Sequence, residues 1–534
     1  MDDRADAARL EGFEPDGDGF FERLRDVVSR QDWNGANAIV RDEWYALAAA
    51  DSEVTISILE QVPPSALRTK PLIAMELGIA YNKLRYHRLR AVRYFVMAVR
   101  AARSSGRTEL DPIDRLLIRA AESGAFRLLG RTVASVNAAR AASRIAEDLT
   151  VDERAAVRDL PRVYAVIGVS LLYGGFPEEA LDAGARGLAE APTTVPSNGF
   201  GALALLTGIH TANGDLPDAL EHLEYARRGP WTDAQRNGYS GSLYRVAEAV
   251  VALEAFDVER ARDGLRSLRA LTTGRHANEH WATIASTAAM IDLVDGNAAK
   301  GLADLDAFAA LRGGEGRASR ARLAGIRSLL QLALGNPHAA AAVLDRDVED
   351  RATSSIARAR VALTLGQTGT ALQHLRATAQ HQLTTRQTAE AVALEVAILL
   401  RVSATARRES VLRRLGALLE SSGLRLPLVL MPAEDVRRVA AGLETVGFEH
   451  VTAAIPRSSL FLEIDPGDLL SERELAVLAR LVQDRTVAEI ATSLAVSSNT
   501  VKSQLRSVYR KLGVTDRQGA IAMALELHLL VDRD

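Results

Sequence analysis

The chain has 534 residues, 48% of them apolar and 25% charged, with a net charge of -3 and no cysteine. That balance excludes a mostly disordered chain and one that is basic throughout, so any nucleic-acid site must be a local patch. The missing cysteines exclude disulfides, thiolate zinc sites, iron–sulfur clusters and thiol catalysis. Five lysines (Lys70, Lys83, Lys300, Lys502 and Lys511) stand against 60 arginines, and Ala and Leu abound. This resembles the codon bias of a high-GC bacterial genome. Ala, Leu, Arg and Glu are good helix formers, whereas runs alternating with period two are scarce, so the chain reads as all-α.

Residues 1–19 are acidic and poor in apolar anchors, which predicts a solvated, disordered tail. They lack the apolar core of a signal peptide. The longest clean apolar stretch, Tyr164 to Tyr173, is about half of the roughly 20 residues that a membrane helix needs. A cytoplasmic protein with no membrane partner is expected.

From about 20 to 420 a pattern recurs: an Ala/Leu-rich helix, a turn residue, then a second helix with Ala or Gly five positions after the turn. Gly175…Ala180, Gly214…Ala219, Phe256…Ala261, Gly296…Gly301, Gly335…Ala340 and Gly366…Ala371 align, with turn spacings of 39, 42, 40, 39 and 31. Tyr86…Ala91 and Trp33…Ala38 are weaker upstream matches. Gly closes a helix in the left-handed conformation, and a small fifth residue allows close helix approach. Such hairpins bury their apolar faces only by stacking. The array resembles the tetratricopeptide superfamily, with units longer than the usual ~34 residues. It is read as a sensor or interaction region for a protein, a peptide or a small effector. Trp33, Trp44, Trp231 and Trp281 fall on helix patterns and are expected in the core.

Residues 421–464 contain Pro427, Pro432 and Pro456, and read as a connector with one helix, about Ala433 to Thr445, and otherwise irregular or short extended pieces.

Residues 465–534 carry the most information. Ser471…Glu474 and Thr486…Glu489 are capping boxes that open two helices. The turn Ala495-Val496-Ser497 follows, with Ser497 capping a third helix. Val501, Leu505, Val508 and Leu512 form its apolar stripe. Gly513 stops it, and Thr515 caps a fourth helix that carries Ile521 and Leu525 inward. Opposite the stripe lie Asn499, Lys502, Ser503, Arg506 and Arg510. From Ser497 to Arg517 the formal charge is +4, in a chain that is acidic overall. Two helices joined by a three-residue turn, after a packing helix, describe a helix-turn-helix.

The segments Leu470-Ser471-Glu472-Arg473-Glu474, Glu489-Ile490-Ala491, Val496-Ser497-Ser498-Asn499-Thr500-Val501-Lys502 and Tyr509-Arg510-Lys511-Leu512-Gly513-Val514 resemble the LuxR-type DNA-binding domain. Gln504 departs from the family, which usually carries His there. With the repeats, the chain resembles the C-terminal parts of MalT-like regulators without their nucleotide-binding domain. The fold expected is a tetratricopeptide-like helical-hairpin solenoid followed by a four-helix LuxR-type domain. The resemblance implies DNA contacts from Thr486, Ser498, Asn499, Thr500, Val501, Lys502, Ser503, Gln504, Arg506, Arg510, Lys511 and Arg517. Lys502, Ser503 and Arg506 take base-edge roles among these, and Thr500 and Arg510 backbone roles. It also implies a dimer contact from Ala520, Ala524, Leu527 and His528 on the fourth helix. Double-stranded promoter DNA, RNA polymerase and a second copy of the chain are the expected partners, with nucleoid association when DNA is bound. The alternative is a helical-repeat scaffold in which DNA binding is secondary.

An enzyme is not expected, nor is any cofactor. His276-Ala277-Asn278-Glu279-His280 lacks the Glu directly after the first His of a zinc protease and reads as a solvated helix entry. Gly313-Gly314-Glu315-Gly316 has no Lys-Ser/Thr after it and reads as a loop. No Gly-Lys pair exists in the chain, so a phosphate-binding loop is absent.

Overall fold

The computed structural model describes residues 19–84, 88–103, 110–191, 196–268, 279–311, 317–345, 352–402, 405–456, 458–462, 470–483, 485–512, 514, 516–526 and 529. The acidic tail, the Tyr86 turn and the Gly313–Gly316 loop therefore fall outside the described residues. Helices, with short 3-10 turns, form every regular element among the described residues, and none is long and apolar enough to cross a membrane. Packing divides the chain into two compact units, Met1–Val251 with Glu259–Ile284, and Ala252–Val258 with Ala285–Asp534.

The helices pair as antiparallel hairpins, and successive hairpins stack. In the first unit Pro112–Leu128 packs on Thr132–Asp148, Leu160–Gly174 on Pro177–Ala189, and Phe200–Asn213 on Leu216–Arg228. In the second, Arg317–Ala333 packs on Pro337–Asp345, and Ala352–Thr364 on Thr368–Ala377. This is the tetratricopeptide-like architecture expected from the period.

The turn register explains the period. Gly175, Gly214, Phe256, Gly296, Gly335 and Gly366 all have positive φ, between 57° and 90°. At each, the next residue donates its N–H to the carbonyl five positions back, as in Phe176 to Leu171 at 3.0 Å and Asn336 to Gln331 at 2.8 Å. This Schellman closure satisfies the last carbonyls of one helix and points the chain into the next. Phe256 takes the same conformation at a steric cost of roughly 1–2 kcal/mol, because its Cβ crowds the following carbonyl. The fifth residue after each turn is buried: Ala180, Ala219, Ala261, Gly301, Ala340 and Ala371.

Two upstream turns were misplaced or missed. The left-handed residue of the first hairpin is Gln31, with φ 57°, so its small residue is Ala36, not Ala38. Gly130, with φ 69°, opens the helix Thr132–Asp148, and Ser135 occupies its small position. Trp44 and Trp231 are buried as expected, while Trp33 and Trp281 are half-buried.

Residues 424–455 are not an irregular connector. The expected helix Ala433–Thr445 is present, but it is flanked by the helices Leu426–Val429 and Glu449–Ala453, and Leu424 to Met431 is almost wholly apolar and buried. Prolines 427 and 432 do not break this packing, because they sit at or before helix starts, where no backbone donor is needed. Two carboxylates hold the segment to the repeats. Glu254 pairs with Arg386 and accepts from the backbone N–H of Arg425 and Leu426, at 2.7 and 2.9 Å. Arg401 grips the fully buried Asp435 through two hydrogen bonds, at 2.8 and 2.6 Å.

Removing a buried carboxylate strands its cation, at a cost of ~3–5 kcal/mol. Asp435→Ala is expected to lower the unfolding free energy of the second unit by that order, which a lower denaturant midpoint at unchanged slope would report. A loosely attached connector would leave the midpoint unchanged.

Candidate nucleic-acid interface

The C-terminal domain has four helices, which we label α1 (Glu472–Val482), α2 (Val487–Ser493), α3 (Ser498–Leu512) and α4 (Arg517–Glu526). Both predicted capping boxes form: Ser471 with Glu474 opens α1, and Thr486 with Glu489 opens α2. Between α2 and α3 the chain reverses at Ala495, with φ 53°, and Val496 closes the turn onto Ala491 at 3.0 Å. This is the same closure that joins the repeat helices. Ser497 then caps α3 by accepting from the N–H of Thr500 at 3.1 Å.

The core consists of Val477, Leu478 and Leu481 of α1, Ile490 and Ala491 of α2, the stripe Val501, Leu505, Val508 and Leu512 of α3, and Ala520 and Ala524 of α4. The stripe fixes what α3 presents outward. Ser498, Asn499, Thr500, Lys502, Ser503 and Arg506 are exposed and Gln504 is half-exposed. Residues 499, 502, 503 and 506 fall at i, i+3, i+4 and i+7, which is one helix face. None of these residues is acidic. Lys and Arg are the side chains that read guanine O6 and N7 in a major groove, and Ser and Asn donate or accept at base edges.

Several residues expected to touch DNA are placed elsewhere. Val501 is fully buried in the core. Lys511 donates to Glu474 at 2.7 Å, tying α3 to α1. Arg517 donates to the carbonyls of Leu481 and Arg485, at 2.9 and 2.8 Å, so its guanidinium closes the end of α1. Thr486 is exposed, with its hydroxyl engaged in the capping box. The Arg510 side chain lies outside the described residues, as do Gly513, Thr515, Leu527 and His528. Asp516 caps α4 by accepting from the N–H of Gly519 at 2.8 Å.

Of the expected dimer face, the two residues that the structure describes, Ala520 and Ala524, are turned inward. Ala520 and Ala524 are buried, Ile521 is half-buried, and Leu525, expected inside, is 60% exposed. The small residues let α4 approach α1 closely, so they serve the core. The sequence reading also passed over Arg485, which is exposed beside the start of α2. Its signal was a basic residue directly preceding a helix N-cap.

Glu474 organises the domain. Burial pushes its carboxyl up, but hydrogen bonds from Lys511, Ser507 and Ser471 outweigh burial and bring it down to about 2. A carboxyl lowered in the folded state stabilises above its unfolded value, here 4.5, and that stabilisation is lost as pH falls toward 2. The domain is therefore expected to lose stability, on the order of 2–3 kcal/mol, between those two pH values. Glu474→Gln should flatten this part of the pH profile of thermal melting. A wild-type melting curve that does not shift across this window would contradict the assignment.

A profile described as "Bacterial regulatory proteins, luxR family" matches residues 468–524. The chain is 41% identical over 73 residues to the probable transcriptional regulatory protein SgaR of Hyphomicrobium methylovorum, covering 14% of this chain and 33% of that one. It is 42% identical over 62 residues to the probable transcriptional regulatory protein NarL of Mycobacterium tuberculosis, covering 12% of this chain and 29% of that one. It is 38% identical over 65 residues to the spore germination protein GerE of Bacillus subtilis, covering 12% of this chain and 88% of that one. The chain thus spans about a third of the length of the first two relatives. Among solved structures, the Cut9–Hcn1 hetero-tetramer of APC/C aligns with a TM-score of 0.43 at 9% identity, over 95% of each chain. GerE is matched over nearly its whole length, and the capping boxes, turn and core stripe all fall within the matched segment, so this chain belongs to the luxR family of bacterial regulatory proteins.

Proposed function

We propose that the chain is a sequence-specific DNA-binding transcriptional regulator whose helical-repeat region senses a partner or effector. The observation that carries the DNA-binding part is the outward face of α3. It gathers Asn499, Lys502, Ser503 and Arg506 on one side, while the other cations of the segment with described side chains, Lys511 and Arg517, are committed inward. Helix α3 enters the major groove, with Lys502, Ser503 and Arg506 on base edges. Thr500 and Arg510 meet phosphates, joined by Arg485 and the N-terminus of α2. RNA polymerase is the proposed partner at the promoter.

The relatives' printed names support regulation, since SgaR and NarL are named transcriptional regulatory proteins. The size of the repeat region supports sensing. Each of the two units contains stacked hairpins of its own, far more than positioning one small domain requires. A homodimer on DNA is proposed through the exposed side of α4 around Leu525, in place of Ala520 and Ala524.

The test separates contact from scaffold. An operator is first selected from a random duplex library with the full chain. Lys502→Ala or Arg506→Ala should then cost roughly 1–3 kcal/mol of operator affinity, relax discrimination at one base pair and leave melting unchanged. Lys511→Met should lower the melting temperature, because it removes the cation paired with Glu474. Equal affinity losses on operator and random DNA for Lys502→Ala would refute its base-edge role.

Leu525→Asp should abolish paired half-site protection in a footprint with half-site centres about 10 bp apart or a multiple of that. Its melting should stay close to wild type, because the side chain is already in water. Unaltered paired protection would remove Leu525 from the dimer contact.

A further inference from the structure

In the first unit, side chains far apart in sequence enclose a cavity of about 260 Å³. Its wall is mostly apolar, with Val166, Val169, Phe200, Leu205 and Leu243; the basic and acidic residues on it are Arg127, Arg162, His280 and Glu279. Glu279 belongs to the motif read from sequence as a solvated helix entry. Instead it is buried together with His280, while His276 to Asn278 lie outside the described residues.

Each charge on this wall already has its counterpart. Arg127 donates to Glu279 at 2.7 Å, to the Val166 carbonyl at 3.1 Å and to the Ser170 hydroxyl at 2.5 Å. The other Glu279 oxygen accepts from Tyr239, and Tyr173 is hydrogen-bonded to His280 Nδ1 at 2.7 Å. Burial pushes the Glu279 carboxyl up, but Arg127 above all holds it below the usual range, so the pair is ionic. Arg127 and Glu279 are 152 residues apart in sequence. Stacked repeats touch chiefly their neighbours, so this pair is a cross-tie between distant repeats and not part of hairpin stacking. Arg162 pairs with Asp159 at 3.5 Å and lies over the Tyr45 ring, 5.6 Å from its centroid.

What the wall leaves unused is neutral. The Tyr45 and Ser240 hydroxyls make no hydrogen bond among the described residues, and Asn198 spends its amide N–H on the Arg158 carbonyl at 3.2 Å, with its oxygen unspent. Burial pushes the Tyr45 phenol well up, so it stays protonated and able to donate. The volume is just under the roughly 300–1,000 Å³ of ordinary small-molecule sites, which suits a compact metabolite and not a peptide. A charged ligand would bring an ion into a space where every counter-charge is taken, and would lose its hydration there. A neutral ligand gives up only a hydrogen bond or two to water, which the unspent groups can replace, while the apolar wall takes its body.

We propose that this cavity binds an uncharged molecule with an apolar, ring-sized body, whose hydroxyl or carbonyl oxygen accepts from the Tyr45 hydroxyl. The proposal rests on the repeat region being a sensor, and it identifies where and what it senses.

Benzyl alcohol and acetophenone are the probes, with benzoate and benzylamine as charged controls of similar size, titrated into the full chain and followed by ligand-observed NMR. At least one neutral probe should bind saturably, and neither charged control should displace it. Tyr45→Phe keeps the ring under Arg162 and removes only the hydroxyl, so it should weaken binding roughly three- to tenfold at an unchanged melting temperature. Gly201→Leu should block binding by filling the cavity. A Cβ at Gly201 makes only ordinary contact, 3.5 Å from Ala165, and Leu favours the helix, so this variant is expected to fold. Should it melt early, Tyr45→Phe alone decides. No binding by either neutral probe, displacement by either charged control, or wild-type binding by either variant would overturn the proposal. Duplex DNA titrated into the same samples tests the other reading separately. Probe bound with DNA affinity unchanged overturns the sensor role and leaves the site standing. DNA bound with no probe binding overturns the site and leaves DNA recognition standing.

Discussion

The molecule is built on one backbone device, the left-handed residue that ends a helix and hands the chain to the next. With its N–H bonded five residues back, the following residue leaves in a fixed direction. Direction alone does not make a hairpin, because two helices must also come close enough to exclude water. The small residue five positions on provides that approach at Ala180, Ala219, Ala261, Ala340 and Ala371. The device recurs between α2 and α3, where Ala495 takes the place of Gly. The repeat hairpins and the C-terminal domain thus pass the chain from helix to helix by the same local rule, although they bury different cores.

In the DNA-binding domain, polar side chains are sorted by what the core leaves them. The α3 stripe fixes the rotation of the helix, and everything else on α3 follows. Lys511 falls toward α1 and finds Glu474; Lys502 and Arg506 fall away and meet water. A count of charges along the sequence treats these three cations alike. Their energetic roles differ, because a cation paired with a buried carboxylate contributes stability and an exposed one is available to phosphates and bases.

This difference shows what the sequence could tell. The period-40 turn positions were legible because Gly and the small fifth residue serve local backbone needs, readable within a few positions. The capping boxes, the α3 stripe and the helix Ala433–Thr445 were legible for the same reason. The errors came where the partner lies far off in sequence. The rotation of α4, with Ala520 and Ala524 inside, depends on how close α1 comes. The inward turn of Arg517 depends on two carbonyls more than 30 residues earlier. Burial of Glu279 and His280 required Arg127 and Tyr173, more than 100 residues away. Prolines suggested an irregular connector at 421–464, whereas at helix starts they are compatible with full packing.

The long-range pair at Glu254 also bears on the chain as it is made. Its carboxylate caps the backbone of Arg425 and Leu426, which leave the ribosome about 170 residues later. At roughly 5–20 residues per second, Glu254 waits on the order of 10–30 s for the groups that neutralise its burial. Through that interval the hairpins after residue 258 can stack on one another, but the seat for 424–431 stays open to water. The second unit therefore matures from its repeats toward the segment 424–431 that they seat.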